Sequence, residues 1–258
     1  GSTYGTLYYS YKVGSGAYSE WSTTVPSAKD AGTYSIKWKV EGKGQYNGQE
    51  STTDIEATIS PVASEITFTA ANGATGLKYD ATEQPLLASA ATATLGATPT
   101  YKVQYNATNL DDWSGVTATA KATSDLVKGI NAGFYRIEAL VADGGNYTGT
   151  TSKIITVQIE KRTLYVTTKA ETKAYGAPDP TFTIAEYRGF QGNDWYENDG
   201  TKVKAAGFVA PTVTREIPAS GKAHQNVGTY KISASAGAAD NYVFDFTEAT
   251  GKSVFNNL

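Results

Sequence analysis

The chain has 258 residues, 22 Lys and Arg against 25 Asp and Glu, a net charge of −3, and neither Cys nor Met. That balance excludes the basic surface a nucleic-acid binder needs, and the missing Cys excludes disulfides and thiolate metal sites. No apolar run approaches the ~20 residues of a membrane helix, so no membrane insertion is expected within this chain. Eighteen Tyr, with frequent Thr and Val, favour strands, while Gly, Asn and Asp recur at turn spacing. The expected class is all-β. Met is missing even at position 1 and the chain opens Gly1-Ser2, which points to a mature product or an excised fragment carrying a tag scar.

In chain order, the first pattern is "YGTLYYSYKV", where Gly5 leads into a Tyr-Lys-Val strand. Next comes "DAGTYSIKWKV" at 30–40. Asp30 and Gly32 mark a turn, and Tyr34, Ile36, Trp38 and Val40 then alternate with polar residues, as in a strand with one buried face. The chain turns through "EGKGQ", and the following strand ends in "IEATIS". "ITFTA" and "LKYDATEQPLL" follow, and then "ASAATATLGA" at 88–97. That stretch has the best helix propensity of the chain, but its Thr residues and the flanking Pro85 and Pro99 argue against a helix. "YKVQY", "NAGFYRI", "IITVQIE", "KRTLYVTT" and "NVGTYKI" supply the remaining strand patterns.

One frame occurs three times. Gly32, Gly133 and Gly228 are each followed two residues later by Tyr34, Tyr135 and Tyr230, and two after that by Ile36, Ile137 and Ile232. A second Tyr stands twelve residues beyond the first, at 46, 147 and 242. A period near 100 residues means tandem domains rather than a solenoid. The frame resembles the tyrosine-corner region of immunoglobulin-like sandwiches, where a Tyr at the start of a strand bonds upstream backbone. Gly32, Tyr34, Gly133, Tyr135, Gly228 and Tyr230 are therefore expected to be structural. The expected boundaries are 1–61, an Ig-like β domain; 62–160, an Ig-like β-sandwich; and 161–258, a third sandwich. The first copy has four residues where the second has a segment of about 64–95, so it is expected to be N-terminally incomplete. The joints "ISPVASEI" and "IEKRTLYV" contain no Gly/Ser spacer, which predicts an elongated array.

The third copy adds "KAYGAPDPTFT" and "YRGFQGNDW". Through Lys173, Tyr175, Gly176, Pro180, Phe182, Gly189, Gly192 and Asp194, with Asn226, Gly228 and Tyr230 in the corner, it resembles the MBG domains of bacterial surface proteins, of the type named for its Tyr-Gly-x motif. "YDATEQPLL" and "VPSAKDAGTYSIKWKVEGKGQY" carry a looser likeness into the first two copies. The ending "GKSVFNNL" departs from the smooth apolar strand expected there. The resemblance implies tandem β-sandwiches in large secreted or surface-anchored bacterial proteins, often adhesins, at an extracellular location. It implies no catalytic residue and no cofactor.

The single His, His224, sits in "SGKAHQN" just before the third corner, and no HExxH, GxSxG or P-loop pattern occurs. Asp194, Glu197 and Asp199 in "NDWYENDG" form a weak calcium candidate whose spacing does not fit an EF-hand. Asp112 with Trp113, and Asp194 with Trp195, pair an indole with a carboxylate in turn-rich loops, the combination that stacks on and hydrogen-bonds to sugar rings. The favoured reading is that each indole folds back over its own sandwich, and Trp21 and Trp38 read as packing residues. Asn106 and Asn146 head glycosylation sequons, which carry little weight in a bacterial context. The leading reading is a non-catalytic spacer or adhesion module. The alternative is a glycan-binding module, possibly appended to a carbohydrate-active enzyme, which would show an aromatic-lined groove in one copy that the others lack. Expected partners are a glycan or a host or cell-surface protein, together with neighbouring domains of a longer chain.

Overall fold

In a computed structural model the described residues are 4–71, 76–108, 110–148, 151–195, 203–216, 227–247 and 251–256. They form an all-β fold of the sandwich class, with several sheets, two single-turn 3₁₀ segments and no α-helix among them. The 88–97 stretch divides into the strand Thr92–Ala93 and the 3₁₀ turn Thr94–Gly96. Pro99 follows closely, so the Ala-rich run has no room for the several turns an isolated helix needs.

Two compact units can be distinguished. One comprises 1–67, 92–99 and 140–153; the other comprises 68–91, 100–139 and 154–258. Their limits follow packing rather than the repeat frame, and the middle sequence copy contributes to both.

In the first unit, Gly5–Val13 pairs antiparallel with Gly32–Gly42, which in turn pairs with Gln49–Glu50 and Ile55–Ile59. The register sets Val13, Tyr11, Tyr9 and Leu7 opposite Tyr34, Ile36, Trp38 and Val40. Ala57 and Ile55 continue the same face beside Tyr34 and Ile36. Period-2 alternation therefore gives one apolar face, as the sequence pattern predicts. Its burial is uneven: Tyr34 is buried, Ile36, Trp38 and Val40 are half-buried, and Leu7, Val13 and Ile55 are exposed. The opposite face is cationic and aromatic. Lys12 and Lys37 lie over the Tyr18 ring at 4.9 and 4.6 Å, and Lys39 lies over Trp21 at 4.9 Å. Trp21 is thus a packing residue, its ring covered by a lysine whose ammonium also pairs with Glu41 at 3.0 Å.

A five-stranded sheet, most of whose residues belong to the second unit, runs in the order Thr119–Lys121, Thr100–Asn106, Gly133–Val141, Thr151–Glu160, Leu77–Lys78. Gly133–Val141 alternates buried and half-buried residues along its whole length. Ile137, Ala139 and Ile159 of this sheet are fully buried, as are Leu86 and Val127, and burying each large aliphatic side chain contributes about 2 kcal/mol.

Among the described residues the last sequence copy builds two larger sheets and a parallel two-stranded one, Asp194–Trp195 with Val203–Lys204. One larger sheet is Ile184–Arg188, Arg162–Thr168, Tyr242–Asp245; the other is Thr172–Ala174, Gly251–Asn256, Gly228–Ser235, Thr212–Arg215. Leu164, Val166 and Ile232 are its fully buried aliphatics. The ending that looks irregular in sequence is a paired strand. Gly251–Asn256 lies antiparallel to Gly228–Ser235 and parallel to Thr172–Ala174, so backbone pairing on both sides substitutes for an apolar run.

Candidate functional site

Tyr34 donates its hydroxyl to the Asp30 carbonyl at 2.7 Å, and Tyr135 donates to the Asn131 carbonyl at 2.9 Å. Both rings are buried. Burial, and then the neighbouring Tyr105, push the Tyr135 phenol up to about 12. Gly133 has φ +145°, and a Cβ there would stand 2.8 Å from the Asn106 carbonyl oxygen, so this turn needs Gly for both conformation and space. Gly32 and Gly228 open the corresponding strands. Tyr230 is half-buried, with the Arg215 guanidinium 4.9 Å from its ring centroid. Asn226, which holds the carbonyl at the equivalent offset, lies outside the described residues.

The Tyr-Gly-x segment encloses a charged cluster. Lys173 Nζ lies 3.0 Å from Asp179 Oδ1, and Arg215 Nε lies 3.3 Å from Asp179 Oδ2. Lys173 also donates to the Ala177 carbonyl at 2.7 Å. Both cationic side chains are about as buried as core residues, at 5% and 3% exposure. Burial pushes the Asp179 carboxyl up, but the Lys173 hydrogen bond and the Arg215 charge outweigh it, so the group sits below the usual carboxylate value. Gly176, at φ +78°, turns the chain between Lys173 and Asp179, while Tyr175 is exposed. The motif's Lys is therefore a structural cation, and its Gly makes the turn that brings the carboxylate back to it.

The two aromatic loops differ. In the first, Trp113 is half-buried and donates Nε1–H to the Leu110 carbonyl at 2.7 Å. The Asp112 carboxylate accepts from the Ser114 amide at 2.9 Å and its hydroxyl at 2.6 Å, which holds its pKa down. Both groups are engaged within their own turn. In the second, Asp194 Oδ2 accepts two phenolic hydroxyls, from Tyr79 at 2.8 Å and Tyr242 at 2.7 Å. The two rings meet edge to face at 5.4 Å. Burial first, and Asp194 next, hold both phenols above the ordinary tyrosine value. Trp195 packs 5.7 Å from Phe190 and lines a cleft of about 510 Å³ with Phe182, Ile184, Tyr187 and Pro211.

Of the calcium candidates, Glu197 and Asp199 lie outside the described residues, as does His224; among the described residues no cluster of three metal-ligating side chains forms. Sequence reasoning missed Tyr79, Tyr242 and Arg215. The fixed spacing marks Tyr242, but nothing local pairs it with Asp194, which is 48 residues away.

No curated protein and no solved structure matches the chain. Residues 164–250 match the family model of the MBG domain (YGX type), a span that contains the Lys173–Asp179–Arg215 cluster and the third corner.

Proposed function

We propose that the chain is a non-catalytic spacer or adhesion module of a secreted or cell-surface bacterial protein, with its copies arrayed in tandem. The observation that carries this reading is the brevity of the second joint. Strand Thr151–Glu160 passes into Arg162–Thr168 through Lys161 alone. A link that short limits hinge motion, as a spacer requires. The MBG match over 164–250 supports an extracellular setting, because surface repeats are what that family implies.

The second reading, a glycan-binding module, is favoured by the cleft beside Trp195, whose aromatic lining suits a sugar face. A thermal-shift screen and a glycan array, each with and without calcium, separate the two. A spacer gives no array signal and no change in melting temperature. A glycan that raises the melting temperature of the wild-type chain but not of Trp195→Ala would replace the spacer reading with the glycan-binding one.

A further inference from the structure

The second Tyr of the frame is preceded by Asn in two copies, Asn146 and Asn241, and by Gln45 in the first. Both asparagines make the same three contacts. Asn146 Oδ1 accepts the Ala31 amide at 2.6 Å, and its Nδ2 donates to Asp30 Oδ1 at 3.0 Å. Its carbonyl accepts the Val62 amide at 3.0 Å. Asn241 Oδ1 accepts the Ala132 amide at 2.8 Å, its Nδ2 donates to Asn131 Oδ1 at 3.3 Å, and its carbonyl accepts the Arg162 amide at 2.9 Å. The backbone beside each is also alike, with Val62 bridging Tyr147 in parallel and Arg162 pairing Tyr242 in parallel.

Asp30–Ala31 and Asn131–Ala132 are the corner turns of the first and middle sequence copies. Each is gripped twice. Its own copy's corner Tyr takes the carbonyl of Asp30 or Asn131, while the asparagine of the following copy takes the side chain of that residue and the next amide. A backbone amide only donates, so the atom facing it is the side-chain oxygen, which fixes the orientation of each Asn. Ala132 is 1% exposed, so a small residue follows the gripped one and lets the asparagine approach.

We infer that Asn146 and Asn241 are joint residues: each docks on the Asp/Asn-Ala-Gly corner turn of the preceding copy and, through its own carbonyl, on the first residue past the joint. The partner this surface fits is another copy of the repeat that presents such a turn. The amide nitrogen that the Asn146 sequon offers for glycosylation is, in this arrangement, already donated to Asp30.

The test uses the full chain carrying Asn241→Ala, followed by amide exchange and by trypsin cleavage at Lys161 and Arg162. Two side-chain hydrogen bonds are lost, so exchange of the Ala132 amide and cleavage at the joint should each accelerate about tenfold or more. Amides of Gly133–Val141 and Gly228–Ser235 should keep their wild-type protection. Asn241→Asp retains the acceptor and loses the donor, so it should keep Ala132 protected and give intermediate cleavage. Asn146→Ala should accelerate exchange of the Ala31 amide in the same way. Wild-type exchange at Ala132 in Asn241→Ala overturns the inference. So does loss of protection across Gly228–Ser235 in step with the joint, which would make Asn241 a general stabiliser of its own copy.

Discussion

Asp179→Ala should lower the unfolding free energy of the last sequence copy by about 4 kcal/mol, the cost of leaving buried charge without its counter-ion. Two cations depend on this carboxylate, and both are almost fully removed from water. Neither reaches solvent by a small rotamer change, because Lys173 is also tied to the Ala177 carbonyl and Arg215 lies over the Tyr230 ring. Asp179→Asn should cost nearly as much, since it preserves shape and removes the charge. Urea titrations of both variants at neutral pH measure this; a loss under about 1 kcal/mol would mean that solvent screens the cluster as it does a surface pair. The carboxyl also sets an acid limit. Its folded value is held below the ordinary 3.8, so its stabilisation is complete above about pH 4 and is lost as pH falls through the folded value. That portion of acid sensitivity should be absent from Asp179→Asn.

Asp194→Ala should cost about 3 kcal/mol, from two hydrogen bonds to an ionised acceptor made by buried donors. The Tyr79 and Tyr242 rings are 4% and 2% exposed. Without the carboxylate the Tyr242 hydroxyl still accepts the Gln191 amide at 2.9 Å, but its proton loses the acceptor it now has. Calorimetry of Asp194→Ala, alone and combined with Tyr79→Phe, separates the two bonds, because the second substitution should cost little once the acceptor is gone. A change within 0.5 kcal/mol of wild type, the usual range for surface substitutions, would instead leave Asp194 available as a calcium or sugar ligand.

The strand layout is legible in sequence because burial on one face forces alternation. Tyr34 to Val40 and Gly133 to Val141 show this directly. The uneven cover over Ile36, Trp38 and Val40 is not legible, since period 2 reports which side is apolar and not what lies against it. The joint asparagines were present in the frame, one residue before Tyr147 and Tyr242, but Asn146 reads locally as a sequon, and its contacts to Asp30 and Ala31 span 115 residues or more. Trp113 and Asp112 illustrate the converse. An indole beside a carboxylate looks like a sugar platform until Leu110 and Ser114 are seen to take their hydrogen bonds. The Lys173 cluster was visible as a motif without its chemistry, because Arg215 lies 36 residues beyond Asp179.

A spacer must have reach, and small-angle scattering measures it. If the copies are arrayed end to end through short joints, the radius of gyration of the 258-residue chain will stand well above the ~18 Å of a compact globule of that length, and the distance distribution will carry a long tail. A radius near ~18 Å with a symmetric distribution would contradict the tandem spacer.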